Sequence, residues 1–168
     1  NDKDDAGAST EVQRYLTKAG QWERVTGVGG SFAARAFAAA EYDPVHDVIW
    51  VTGGIGSCEL GKVLPHSNPQ GTPQTPEDCN AKQIATQYLS FDPTTGAPTW
   101  NTLSTSTVNL YGHTMVYDSI GKRMILFGGT SNIRGGEDDL MVLNLSDPDP
   151  SKATLGNLGS SGTAPKVA

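Results

Sequence analysis

Ala40-Glu41-Tyr42-Asp43-Pro44-Val45-His46-Asp47-Val48-Ile49-Trp50-Val51-Thr52-Gly53-Gly54 is echoed 75 residues later by Met115-Val116-Tyr117-Asp118-Ser119-Ile120-Gly121-Lys122-Arg123-Met124-Ile125-Leu126-Phe127-Gly128-Gly129. In both copies a Tyr-Asp pair precedes a Gly-Gly pair by the same 11 residues. Each copy reads as strand, tight turn, strand, glycine doublet, so the chain is built from repeated β-hairpins.

Working outward, Trp22-Glu23-Arg24-Val25 and Trp100-Asn101-Thr102-Leu103 share a Trp-x-x-apolar pattern, 20 and 17 residues ahead of the Tyr-Asp pairs. Extended runs precede them, at Arg14-Tyr15-Leu16 and at Tyr88-Leu89-Ser90-Phe91, and Leu140-Met141-Val142-Leu143-Asn144-Leu145 resembles those runs again. One unit is therefore four strands. The first unit reads as strands at 35–42, 47–53, 85–91 and 99–103. The second reads as strands at 112–117, 123–128, 140–145 and 153–158. Met124-Ile125-Leu126-Phe127 is apolar at every position, the pattern of a strand buried on both faces. Asp43-Pro44 and Asp92-Pro93 punctuate as turns, and no segment carries a helical period.

Composition agrees with many short strands. Gly 20 and Pro 10 make about 18% of the 168 residues, against roughly 12% in average usage. The net charge is −6, and no basic run or basic–aromatic stripe is present, which argues against nucleic acid and anionic membrane surfaces as partners. No apolar run approaches the roughly 20 residues that span a bilayer. The polar opening Asn1-Asp2-Lys3-Asp4-Asp5 fits either a processed N-terminus or a trimmed fragment.

Cys58 and Cys79 both fall in one Pro- and Gly-rich loop. A disulfide closing that loop in an oxidising compartment is expected, with two unpaired thiols as the alternative. If unstrained, closing roughly 20 residues would contribute about 3 kcal/mol. The sequon Asn144-Leu145-Ser146 is a glycosylation candidate that also fits secretion.

Taken in this order, the glycine doublets, the Tyr-Asp turns, the Trp22 and Trp100 strands and Gly112-His113-Thr114 resemble the kelch-repeat (galactose oxidase/kelch-like) β-propeller family. The resemblance covers about 12–158. It implies an all-β fold of propeller blades, each a four-stranded antiparallel sheet. It also implies that the doublets allow close backbone approach, and that Trp100 packs against a neighbouring blade. On this reading residues 1–11 are a flexible N-terminus and 12–34 a partial blade, its third and fourth strands, with an inter-blade turn. Residues 35–103 are one blade with a long loop at 55–84, 104–158 a second blade, and 159–168 a tail or the start of the next. About two and a half blades fall short of the four to eight that close a propeller. The rest would come from the same parent chain or from other subunits.

Chemistry is sparse. His46 lies in a hairpin turn, His66 in the cysteine loop and His113 at a strand start, none with metal-ligand spacing. His113 reads as a packing and hydrogen-bonding residue. Gly27-Val28-Gly29-Gly30 reads as a turn rather than a phosphate loop, because no helix follows. Some kelch propellers carry a copper-radical oxidase site of tyrosines, histidines and a cross-linked cysteine, but no matching constellation is present. The expectation is no catalytic residue, no metal and no cofactor.

Binding loops are the alternative. The connections after the second strand of each unit, 55–84 and 130–139, should rise from the same end of the fold, where ordered loops on a rigid scaffold carry function. Candidate binding residues are His66, Glu77 and Asp78 in the first, and Asn132, Arg134, Glu137, Asp138 and Asp139 in the second. The acidic run Glu137 to Asp139 reads more readily as a solvated turn. The expected function is a non-catalytic protein-interaction or ligand-binding module of a secreted or cell-surface protein. One alternative is a structural subunit or processed fragment completing a propeller with other chains, and a third reading is part of a copper-radical oxidase.

Overall fold

A computed structural model describes residues 10–56, 85–131, 135–136 and 140–158. Every pairing between the named strands is antiparallel, and no α-helix occurs among the described residues. The first four-stranded sheet runs in the order β4 (Ala39–Asp43), β5 (Val48–Thr52), β7 (Ala85–Phe91) and β8 (Pro98–Thr107). The second repeats that order with β9 (Thr114–Asp118), β10 (Arg123–Phe127), β13 (Met141–Asn144) and β14 (Thr154–Asn157). Three two-stranded pairs accompany them: β1 (Gln13–Leu16) with β2 (Gln21–Arg24), β3 (Arg35–Ala36) with β6 (Ile55–Gly56), and β11 (Thr130–Ser131) with β12 (Gly135–Gly136). The two sheets fall where the sequence places its strands, except that the first begins at Ala39 rather than Arg35.

The hairpins form for local reasons that recur at the same offset. Asp43 Oδ1 accepts the Val45 amide at 2.9 Å, and Asp118 Oδ1 accepts the Ile120 and Gly121 amides at 3.1 and 3.0 Å. An aspartate that bonds the backbone two and three residues on closes a turn. Left-handed backbone then returns the chain at Asp47 (φ 54) and at Lys122 (φ 48). The β7–β8 turn is closed in the same manner by Asp92, whose Oδ1 accepts from Thr94 and Thr95, and by Gly96 at φ 70.

One expected strand is broken. The run 35–42 is interrupted at Phe37, which takes φ 56. The break lets Ala36 pair with Ile55 beyond the first glycine doublet, while β4 pairs with β5 before it. The second unit makes the same detour at Gly112 (φ 68), next to the Tyr111–Thr130 bridge. Sequence showed the glycine at one copy and a phenylalanine at the other, which masked the equivalence.

The sheets pack on one another around one core. Val48, Trp50, Tyr88 and Leu103 come from the first sheet, and Met115, Met124, Leu126 and Leu143 from the second, with Val108 and Leu110 from the connection between them. Trp50, Met124, Leu126 and Leu143 are fully buried. Cross-strand neighbours share a face, so Met124–Leu143 and Leu126–Met115 line one side of β10. The opposite side differs from the expectation of a strand buried on both faces. Phe127 is 54% exposed and its neighbour Val116 on β9 is 55% exposed, because no described element covers that side.

The tryptophans also part company. Trp22 is 68% exposed, with its ring centroid 5.3 Å from that of Tyr15. Trp100 stacks on Phe32 at 4.3 Å, within the segment that leads into its own sheet. Gly30 makes that close approach possible, since a Cβ there would stand 2.0 Å from the Trp100 carbonyl oxygen.

Candidate functional site

The end of the sheets at which β5 and β10 finish is built by glycine. Gly53 and Gly54 (φ 58 and 97) and Gly128 and Gly129 (φ 71 and 85) turn the chain out of each sheet. Both doublets border the connection 108–113. The Gly54 amide donates to Leu110 O at 2.8 Å, and a Cβ on Gly129 would lie 2.9 Å from Tyr111 O. His113 sits between them, 6% exposed, with Nε2 2.9 Å from Thr52 Oγ1. Burial lowers its pKa, so it is neutral near pH 7. Its place matches the packing role read from the sequence.

Arg35 fixes the long connection at its two feet. Its Nη1 donates to Gly53 O at 3.2 Å, where the chain leaves the sheet, and to Ala85 O at 3.0 Å, where it re-enters. Nε donates to Ala33 O at 2.9 Å and Nη2 to Gln87 Oε1 at 2.6 Å. Gln87 in turn donates to Ser31 O and Thr102 Oγ1, tying the lead-in segment across β7 and β8. Arg35 is 8% exposed, and its guanidinium lies 5.1 Å from the Phe32 ring centroid. Burial pulls its pKa down to about 10, which leaves it charged at neutral pH. Among the described residues no carboxylate pairs with it. Carbonyl oxygens and a π face satisfy it instead.

Sequence reasoning passed over Arg35. The available signal was one cation inside the alanine-rich run Ala33-Ala34-Arg35-Ala36-Phe37-Ala38-Ala39-Ala40. A charge in so apolar a strand needs buried acceptors, and these come from residues about 50 positions away.

Most of the sequence-derived candidates lie outside the described residues: Cys58, His66, Glu77, Asp78 and Cys79 in 57–84, and Asn132, Arg134, Glu137, Asp138 and Asp139 in 132–134 and 137–139. What is described are the points from which these connections depart, and both depart from the glycine-doublet end. Asn144 is described: it is exposed at the end of β13, its Oδ1 accepting from the Ser146 amide at 3.0 Å. Among the described residues no three His, Cys, Asp or Glu side chains gather as a metal site would require. No helix among them is long and apolar enough to cross a membrane.

No family model and no curated protein matches the chain. Among solved structures the fold is similar to one titled "Structure of YjhT", with a TM-score of 0.58 at 15% identity over 92% of this chain and 44% of that one. The chain thus spans less than half the length of that structure, and at this identity the likeness concerns the fold alone.

Proposed function

We propose that the two sheets are consecutive blades of a kelch-type β-propeller that serves as a non-catalytic binding module, with 57–84 and 130–139 forming its contact surface. The observation that carries this reading is the common departure point: the two glycine doublets flank His113, so both connections rise from one end of a rigid pair of sheets. Arg35 supports it by clamping both feet of the longer connection. The partner is a protein or other ligand met outside the cell, in keeping with Cys58, Cys79 and the sequon at Asn144.

The test is to replace 57–84 with a short Gly-Ser linker and probe both proteins on peptide and glycan arrays. Signals of the parent should disappear in the variant while its melting temperature stays within a few degrees. Signals that survive the replacement would remove the binding role from this connection. A disulfide between Cys58 and Cys79 has its own check. Reductant should accelerate proteolysis within 58–79 and leave the sheet strands protected, and cleavage indifferent to reductant would rule the bond out.

A second reading, a piece of a larger assembly, is favoured by two surfaces. Among the described residues the β1–β2 hairpin is a two-stranded sheet with Trp22 and Tyr15 exposed, and the second sheet presents Val116 and Phe127 outward. Their counterparts one repeat earlier, Glu41 and Thr52, lie on the side of the first sheet that faces the second. Further blades would cover them in the same way, from the parent chain or from other subunits.

A further inference from the structure

We propose that His46 is a pH-responsive tie between the two sheets: as an imidazolium it holds the β4–β5 turn to the turn after β13, and on losing a proton it releases one of its two bonds. The geometry requires the doubly protonated ring. Nδ1 stands 2.5 Å from Asp43 Oδ2 and Nε2 stands 2.8 Å from the carbonyl oxygen of Asp147. Both partners only accept, and a neutral imidazole has a single N–H to offer. The neutral ring would therefore set a bare nitrogen against an oxygen on one side. A carboxylate accepts more strongly than a backbone carbonyl and holds the remaining proton on Nδ1, so the bond given up is the one to Asp147 O, 101 residues away in the second sheet's turn, which joins the sheets.

The surroundings favour the cation. The His46 side chain is 4% exposed and that of Asp43 is fully buried, with Asp43 also accepting the Val45 amide and, at 3.4 Å, Trp50 Nε1. From the second sheet, Asp147 and Asp149 add negative charge, and Lys152 lies 4.0 Å from Asp147 on an exposed flank. The Tyr117 hydroxyl is within electrostatic reach of Asp43, and the neighbouring Asp47 is occupied by Tyr42. Burial by itself would lower the pKa of His46. The bonds to Asp43 and Asp147 O and the charges of both aspartates outweigh it, and the net shift is upward.

The sign follows. A group whose folded pKa exceeds its unfolded value of about 6.5 stabilises the fold fully below that pH and loses the contribution as pH rises through the folded midpoint. The second hairpin lacks this dependence. Gly121 stands at the position equivalent to His46, and Asp118 is met by Arg123 at 2.9 Å instead of by an imidazole.

The experiment is a nitrogen-resolved NMR titration of His46 in the intact chain, with amide exchange followed at Lys152 and Ala153, whose N–H groups close the second sheet's turn on Asp149 O and Pro150 O. Both ring nitrogens should be protonated below a midpoint that lies above about 6.5. Protection at Lys152 and Ala153, corrected for intrinsic exchange, should fall severalfold as pH passes that midpoint. His46→Gln, which has no titrating ring, should show flat protection. A midpoint at or below about 6.5, or wild-type protection that ignores the titration, overturns the proposal. Both readings come from the unmodified protein, so a poorly folding variant leaves the decision intact.

Discussion

Trp50→Ala is expected to destabilise the protein by about 3–5 kcal/mol, the range for truncating a large buried aromatic. The indole is fully buried at the centre of β5, facing the second sheet. Its ring lies 4.8 Å from that of Tyr88, its cross-strand neighbour, at a tilt of 49°. Truncation removes that contact and opens a void in the core shared by the two sheets. The Trp50 Nε1 bond to Asp43 is long at 3.4 Å and contributes the smaller part. A small domain has only about 5–15 kcal/mol of net stability, so a large fraction of it would be lost. Denaturant unfolding followed by circular dichroism measures the change. Trp22→Ala is the control: that side chain is mostly exposed and should move stability by no more than about 0.5 kcal/mol. A loss below about 1 kcal/mol for Trp50→Ala would take this residue out of the core.

Gly53→Ala is expected to destabilise by about 3 kcal/mol from two additive sources. The first is conformational: at φ 58 an L-residue meets a penalty of about 1–2 kcal/mol. The second is steric, because the new methyl would stand 2.2 Å from Leu110 O and 2.6 Å from His113 Cε1. A backbone carbonyl cannot rotate aside as a side chain does. The 108–113 connection would have to shift, at a further 1–3 kcal/mol or about that, and the Gly54–Leu110 bond would be strained with it. Gly128→Ala separates the two effects. It occupies the equivalent place in the second hairpin, at φ 71, but nothing lies within 4 Å of its would-be Cβ. Only the conformational penalty of about 1–2 kcal/mol applies there. Equal losses at the two glycines would show that sheet packing plays no part at Gly53.

These two glycines mark where the sequence stops informing. Gly53-Gly54 and Gly128-Gly129 are identical as text, and both were legible as exits from a strand. That one doublet is crowded and the other partly open follows from the second sheet packing over the first, while no described element packs over the second. The same limit applies to Met124-Ile125-Leu126-Phe127. Four apolar residues in a row read as burial on both sides, yet Met124 and Leu126 are covered and Phe127 is not. His46 was legible only as a turn residue. Its role emerges when Asp147 arrives from the other sheet.

What the sequence determined by itself was local: the eight sheet strands, the aspartate-closed turns, the glycine exits and the repeat that relates the sheets. Those features depend on groups within a few residues of one another, as when Asp43 or Asp118 caps the backbone two positions on. Tertiary structure alone decided that Phe32 receives Trp100, that Arg35 clamps Gly53 and Ala85, and that His46 reaches Asp147. Each of these joins positions from 18 to 101 residues apart. Such partners are chosen by which faces the packed sheets bring together, and a pattern of neighbouring residue types carries no record of that choice.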